Sequence, residues 1–229
     1  MMVLGHVAEI WRYPVRGLQG EKLAQSPILK TGVAGDHVYV LRSTDSEKIL
    51  DPVVHPSSRG ATAGLQGMLE FTATLSGDPM GEHEVDIKGA GQTVYSSRKT
   101  DDTRVFSEAL GLRLELVKYP RIVETRVRAG RTLYLLTDSS LGELRRRYPA
   151  GDPDPRRFRP NIMVATEGRL KEFAEEGWLG KELDLGDQVR VSVEKANARC
   201  KIVTLKQAGV EADGGILQTI QGRTRTTWE

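Results

Sequence analysis

Hydrophobic and polar positions change rhythm a little before the middle of the chain. Through the first hundred residues the pattern is short-period: Val3–Trp11, Glu21–Leu29, Val38–Arg42, Leu69–Leu75, Glu84–Lys88 and Thr93–Ser96 show partial alternation or β-branched content, which predicts strands. Turn residues separate them at Gly17, Gly20, Thr31-Gly32, Ala34-Gly35-Asp36, Ser76-Gly77-Asp78-Pro79 and Gly89-Ala90-Gly91. Asp51–Gly67, rich in Pro, Ser, Gly and Ala, reads as a long loop. Strands this short and frequent predict a barrel or sandwich.

Helical periodicity then enters. Asp101 or Asp102 is placed to cap a helix with Val105, Phe106, Ala109 and Leu110 on one face, and Gly111 suits its C-terminal left-handed position. Leu112–Lys118 and Thr132–Leu136 return to strand spacing. Thr137-Asp-Ser-Ser140 leads into a helix through Leu144, with Ser140 and Glu143 at capping-box spacing. A Pro- and Asp-rich linker, Tyr148–Pro155, precedes Arg156–Asn161 and a strand at Ile162–Ala165. Glu167–Gly177 reads as a polar helix, Leu183–Leu185 and Val189–Val193 as strands, and Ile202–Leu205 as a strand-like run after Cys200. The prediction is a mainly β, α+β chain with a boundary near residue 100.

Composition narrows the classes. Thirty-three basic against thirty-one acidic residues leave a net charge of +2, which gives no bulk attraction to nucleic acid or membrane. A single cysteine excludes a disulfide framework and a cysteine-rich zinc site. No apolar run approaches the roughly 20 residues that cross a bilayer, and the N-terminus does not resemble a signal peptide. The expectation is a cytoplasmic protein.

Candidate chemistry is confined to a few places. In Arg156-Arg157-Phe158-Arg159-Pro160-Asn161 the guanidinium forks suit phosphate or carboxylate. Arg156 and Arg157 read as solvated, whereas Pro160 biases Arg159 to an extended direction beside an apolar strand, which favours a binding role for Arg159 and Asn161. The helix start near Ser139 and Ser140 offers N–H and hydroxyl donors to an anion, or simply caps itself. Arg16, in Tyr13-Pro-Val-Arg16-Gly17, and His37, after Gly35-Asp36, lie on turns that a surface hairpin also explains. His6, His55 and His83 lack metal-ligand spacing and read as structural or solvated. Arg145–Arg147 suits the negative end of a helix. Cys200 is either a small buried residue or, with Arg199 beside it, a thiolate that attacks sulfur or binds a soft metal. The residues alone leave both open.

The order of these pieces resembles the MOSC family, proteins related to the C-terminal domain of molybdenum cofactor sulfurase, here with that family's N-terminal β-barrel domain. The resemblance is carried by Tyr13-Pro-Val-Arg16 with Gly20-Glu21, Gly32-x-x-Gly35-Asp36, Leu135-Leu-Thr137-x-x-Ser140-Leu141, Arg157-Phe-Arg159-Pro-Asn161, Trp178-x-Gly180 with Leu185-Gly-Asp187, and Arg199-Cys200. It implies a β-barrel-like domain over residues 1–98 and a MOSC-type β-barrel with flanking helices over 99–229. It also implies a molybdenum cofactor (molybdopterin) between them, with Cys200 as metal ligand or sulfur carrier. Arg159 and Asn161 would bind the pterin or its phosphate, with Arg16, His37, Ser139, Ser140 and Arg199 as further contacts. His37 replaces the family's arginine, and Gly17 replaces a serine.

The family's usual further strand and Gly-Asp turn after the cysteine are missing before Glu229. Either the barrel closes differently, another chain supplies the strand, as in a homodimer that covers the open edge, or the sequence continues past Glu229. The resemblance implies first an oxidoreductase that reduces N-hydroxylated compounds, fed by a flavin or iron–sulfur electron-donor protein. Second is a sulfur carrier that forms a persulfide on Cys200 with a cysteine desulfurase. Third is a non-catalytic cofactor-binding module.

Overall fold

The computed structural model describes residues 2–52, 62–64, 66–98, 103–118, 133–168, 170 and 172–224. His55 and the predicted caps Asp101 and Asp102 lie outside them. The short-period N-terminal pattern becomes strands close to where it predicts them. Three stack as a meander, β8 (Phe71–Gly77), β9 (His83–Gly89) and β10 (Gln92–Ser96), joined in order by antiparallel pairing. β8 buries Phe71, Ala73 and Leu75 on alternate positions, the period-2 signature of a half-buried strand.

A second sheet runs β11 (Leu114–Lys118), β5 (Tyr39–Ser43), β6 (Ile49–Asp51) and β7 (Thr62–Gly64), so part of the predicted long loop is strand. Between these two sheets a core forms around Leu18, Leu41, Met68, Ile87 and Phe106. Phe106 comes from α1 (Arg104–Leu110), which ends as predicted at Gly111 with φ +69°. Its apolar face is narrower than predicted: Phe106 is buried and Leu110 half-buried, but Val105 and Ala109 point outward.

The third sheet interleaves the two ends of the chain in the order β12 (Leu135–Thr137), β13 (Ile162–Ala165), β1 (His6–Arg12), β2 (Glu21–Leu23). β1 runs antiparallel to β13 with Ile10 opposite Ile162, while β12 is parallel to β13. Parallel neighbours need a crossover, here α2 (Asp138–Arg147) and a 3-10 turn at Pro155–Phe158. α2 buries Leu141 and Leu144 against Leu136, Phe158, Met163, Val203 and Ile216. Ile216 belongs to α3 (Gly215–Thr224), a C-terminal helix absent from the sequence reading. Strands on both sides of residue 98 therefore share sheets, and β11 pairs with β5 while β1 pairs with β13.

Two small ladders complete the described strands: β3 (Ile28–Leu29) with β4 (Gly32–Val33), and β14 (Glu182–Leu185) with β15 (Val189–Ser192). The fold is mainly β within the α+β class, as predicted, with its described strands in separate sheets of two to four.

Three local expectations fail. Glu167–Gly177 is not one helix: Glu167, Gly168 and Glu172 all have positive φ, which interrupts the turn, and among its described residues only Ala174–Trp178 coils, as a 3-10 turn. Lys201–Thr204 is a 3-10 turn, not a strand. The cap of α2 is Thr137, whose hydroxyl accepts from Ser140 N–H at 3.1 Å, and Glu143 turns to Arg146 and Arg147 instead of closing a capping box.

Candidate functional site

The Arg156–Asn161 turn organises everything around it. Asp154 caps it by accepting from Arg156 N–H at 2.8 Å, with Pro155 at the first position, where its missing N–H costs nothing. The turn ends at Arg159 with φ 52° and ψ 52°. The expected extended conformation is not adopted: Arg159 is left-handed, at a cost of about 1–2 kcal/mol for a residue with a Cβ. Its own contacts hold it there. Nη1 donates to the Leu18 carbonyl at 2.7 Å, and the guanidinium lies 4.2 Å from the centre of the Tyr13 ring.

The two arginines that read as solvated are anchored instead. Arg157 is among the largest fully buried side chains and donates to three backbone carbonyls: Glu211 (2.6 Å), Asp152 (2.8 Å) and Val203 (3.4 Å). Arg156 pairs with Asp154 at 2.7 Å and donates to Ala208 O at 2.9 Å. Together they fasten the 203–211 segment, which follows Cys200, to the turn.

Asn161 is buried, with both ends of its side-chain amide engaged. Its Nδ2 donates to Trp11 O at 3.2 Å and its Oδ1 accepts from Tyr134 N–H at 3.2 Å, so its amide staples β1 to the entry of β12. These bonds give Asn161 a positioning role. Ser140 is likewise committed, donating to Glu175 Oε2 at 2.5 Å, and Ser139 exchanges a 2.8 Å bond with Thr137.

The N-terminal pieces converge on the same turn. Asp36 accepts from Tyr13 N–H at 2.7 Å, and His37, left-handed at φ 54°, donates its own N–H to Tyr13 O at 2.8 Å. His37 Nδ1 also lies 2.8 Å from Asp36. These bonds fix Tyr13, whose hydroxyl donates to Pro160 O at 3.1 Å and whose ring supports Arg159. Burial pushes the Tyr13 phenol far above its usual range, so it stays protonated.

Arg16 occupies the Val15–Leu18 turn and grips Asp51 in a fork, at 2.9 and 2.7 Å. Glycine follows it for a physical reason: φ is +83°, and a Cβ would sit 2.6 Å from Met68 Cε. Burial raises the Asp51 carboxyl, while Arg16 and then Arg159 pull it back down.

Cys200 is exposed and opens the 3-10 turn Lys201–Thr204. Arg199 reaches the hub from the other side: Nη1 donates to Phe158 O at 3.1 Å, and the guanidinium sits 5.4 Å from the Phe158 ring centre. Desolvation lowers the Arg199 pKa, opposed by the charges of Tyr134, Glu175 and Cys200. Phe158 and Arg159, adjacent in sequence, thereby tie Arg199-Cys200 to Arg159 and, through Leu18, to the turn that carries Arg16. Asp51, Glu175 and Tyr134 were invisible to sequence reasoning, because only the fold brings them to these arginines.

An exposed thiol with guanidinium groups on both sides of one turn can offer a soft ligand to a metal and charged donors to a phosphate. Residues 123–228 match the family model of the MOSC domain. The chain is thus similar to the MOSC family over that stretch, which contains Cys200 and the arginine turn. No curated protein matches it significantly. Among the described residues no helix is long and apolar enough to cross a membrane.

Proposed function

We propose that the protein binds a molybdenum cofactor and uses it as an oxidoreductase that reduces N-hydroxylated compounds, with electrons from a separate flavin or iron–sulfur protein. One observation carries the reading: the exposed Cys200 and its neighbour Arg199 are tethered through Phe158 O to the turn that projects Arg159. The donor set fits such a group. Among the described residues no cluster of three or more His, Cys, Asp or Glu could hold a metal alone. A metal that brings its own organic ligand and takes one thiolate from the chain suits this surface.

In this reading Cys200 meets the metal. Arg159 and Arg16 meet the phosphate, and Arg199 holds positive charge beside the thiol. Tyr13, Asp36 and His37 set the Arg159 guanidinium, and Asn161 fixes the strands beneath it. The bound cofactor would supply two-electron chemistry, converting a hydroxylamine to an amine with uptake of two protons and release of water. Reduction of an N-hydroxylated test compound with an artificial electron donor tests this. Turnover should vanish in Cys200→Ser while the fold is retained; undiminished turnover in that variant removes Cys200 from the mechanism.

The exposure of Cys200 favours a second reading, sulfur carriage. An accessible thiolate attacks the outer sulfur of a desulfurase persulfide, takes that sulfur, and releases the desulfurase thiolate. A chain that binds the cofactor but supports neither reaction would be the non-catalytic module.

A further inference from the structure

Two glutamines from opposite ends of the chain meet in the interior. Gln19 is 3% exposed and Gln207 1%, and Gln19 Nε2 donates to Gln207 Oε1 at 2.5 Å. The backbone of Gln19 is fixed on β8: its N–H donates to Phe71 O and its carbonyl accepts from Ala73 N–H, both at 2.8 Å. Gln207 is held by a tight turn, its N–H donating to Val210 O at 2.8 Å. Its side-chain amide then passes the contact on, because Nε2 donates to Ile202 O at 3.3 Å, inside the 3-10 turn that Cys200 opens.

Leu18 and Gln19 thereby hold two sides of the site from one dipeptide. The Leu18 carbonyl accepts from Arg159 Nη1 at 2.7 Å, while the Gln19 side chain reaches the cysteine turn through Gln207. We infer that Gln19 and Gln207 are positioning residues that set the separation between the Cys200 thiol and the Arg159 guanidinium, so that one ligand engages both. The inference rests on the reading that these two groups meet the same cofactor.

Arg156 and Arg157 fasten the segment after Cys200 to the arginine turn, and the glutamine pair fixes it against the β8 side. Stability does not account for the pair. Among the described residues Gln19 Oε1 has no hydrogen-bond partner. An incompletely satisfied buried amide pair stabilises poorly compared with two apolar side chains of similar size. What it supplies is a defined distance and angle, which apolar packing does not.

Cys200 is the chain's single cysteine, so alkylation reports on that thiol alone. The test compares iodoacetate with iodoacetamide, two reagents of similar shape that each lose iodide to the attacking thiolate. The first carries a negative charge and the second none. A guanidinium about 4–7 Å from the reacting atoms favours the anion about threefold to fivefold in water. Thiol exposure and ionisation affect both reagents alike. Their rate ratio, divided by the ratio for the same chain unfolded in urea, therefore isolates the charge that folding brings to the thiol.

Wild type should show such an excess at low ionic strength, and Arg159→Met should lower it about threefold. The double variant Gln19→Leu/Gln207→Leu removes both amides together. It should stay folded and lose the excess to the same extent, and adding Arg159→Met to it should change nothing further. Gln207→Asn keeps an amide too short to bridge Gln19 and Ile202, and gives the same comparison should the leucine pair not fold. An excess retained in the leucine pair, or in Gln207→Asn where that pair does not fold, overturns the positioning role while leaving Cys200 and Arg159 at one site. No excess in wild type, or one that Arg159→Met does not lower, overturns the shared site itself.

Discussion

Replacing Arg157 with Met should destabilise the protein more than any substitution on its surface. The side chain is 2% exposed and donates to the carbonyls of Glu211, Asp152 and Val203. A hydrogen bond from a charged donor contributes about 1.5–3 kcal/mol, so the two short ones, at 2.6 and 2.8 Å, represent about 3–6 kcal/mol gross. Methionine fills part of the volume and removes the cost of holding a charge out of water, which offsets some of that loss. The net is about 2–4 kcal/mol, or a Tm drop of about 5–12 °C for a chain of this size.

Urea unfolding gives the free energy, and hydrogen exchange locates it. The amides of Val203, Leu205 and Gln207, all bonded to backbone carbonyls, should lose protection before those of the β8–β9 ladder. Arg157→Lys keeps the charge but not the fork, and should recover only part of the loss. A destabilisation below about 0.5 kcal/mol, typical of a surface site, would refute the clamp.

Other expectations are simpler. Arg146 and Arg147 hold Glu143 at about 2, below its unfolded value, so its contribution to stability is present above the ordinary carboxylate range and is lost as pH falls toward 2. Acid titration of Tm should therefore be flatter in Glu143→Gln, and identical curves would contradict the pairing. If the protein carries sulfur, mass spectrometry after incubation with a cysteine desulfurase and cysteine should show one added sulfur on Cys200; an unmodified thiol would set that reading aside.

Sequence alone revealed what local rules control. Gly111 marked the end of α1, because few other residues adopt a left-handed C-terminal position at so little cost. The alternation of Phe71, Ala73 and Leu75 marked β8. Failures came where partners are distant or belong to the backbone. Arg157 read as solvated because its acceptors are carbonyls of residues 152, 203 and 211, and a carbonyl leaves no trace in a sequence.

Ser140 and Glu143 have the spacing of a capping box, yet Thr137 won the cap because β12 delivers it there in extended geometry. The pre-proline rule failed at Arg159, where the carbonyl of Leu18 and the ring of Tyr13, both more than a hundred residues away, outweigh the local preference. Of the candidate site, Arg159, Arg199 and Cys200 were legible as residues. Asp51 and Glu175, which govern the charge around them, were not.

The most direct test of the central claim is the molybdenum content of protein purified from cofactor-competent cells. The account predicts near-stoichiometric metal with a fluorescent oxidised pterin released on denaturation, and loss of the metal in Cys200→Ser. Metal-free wild-type protein from such cells would contradict it.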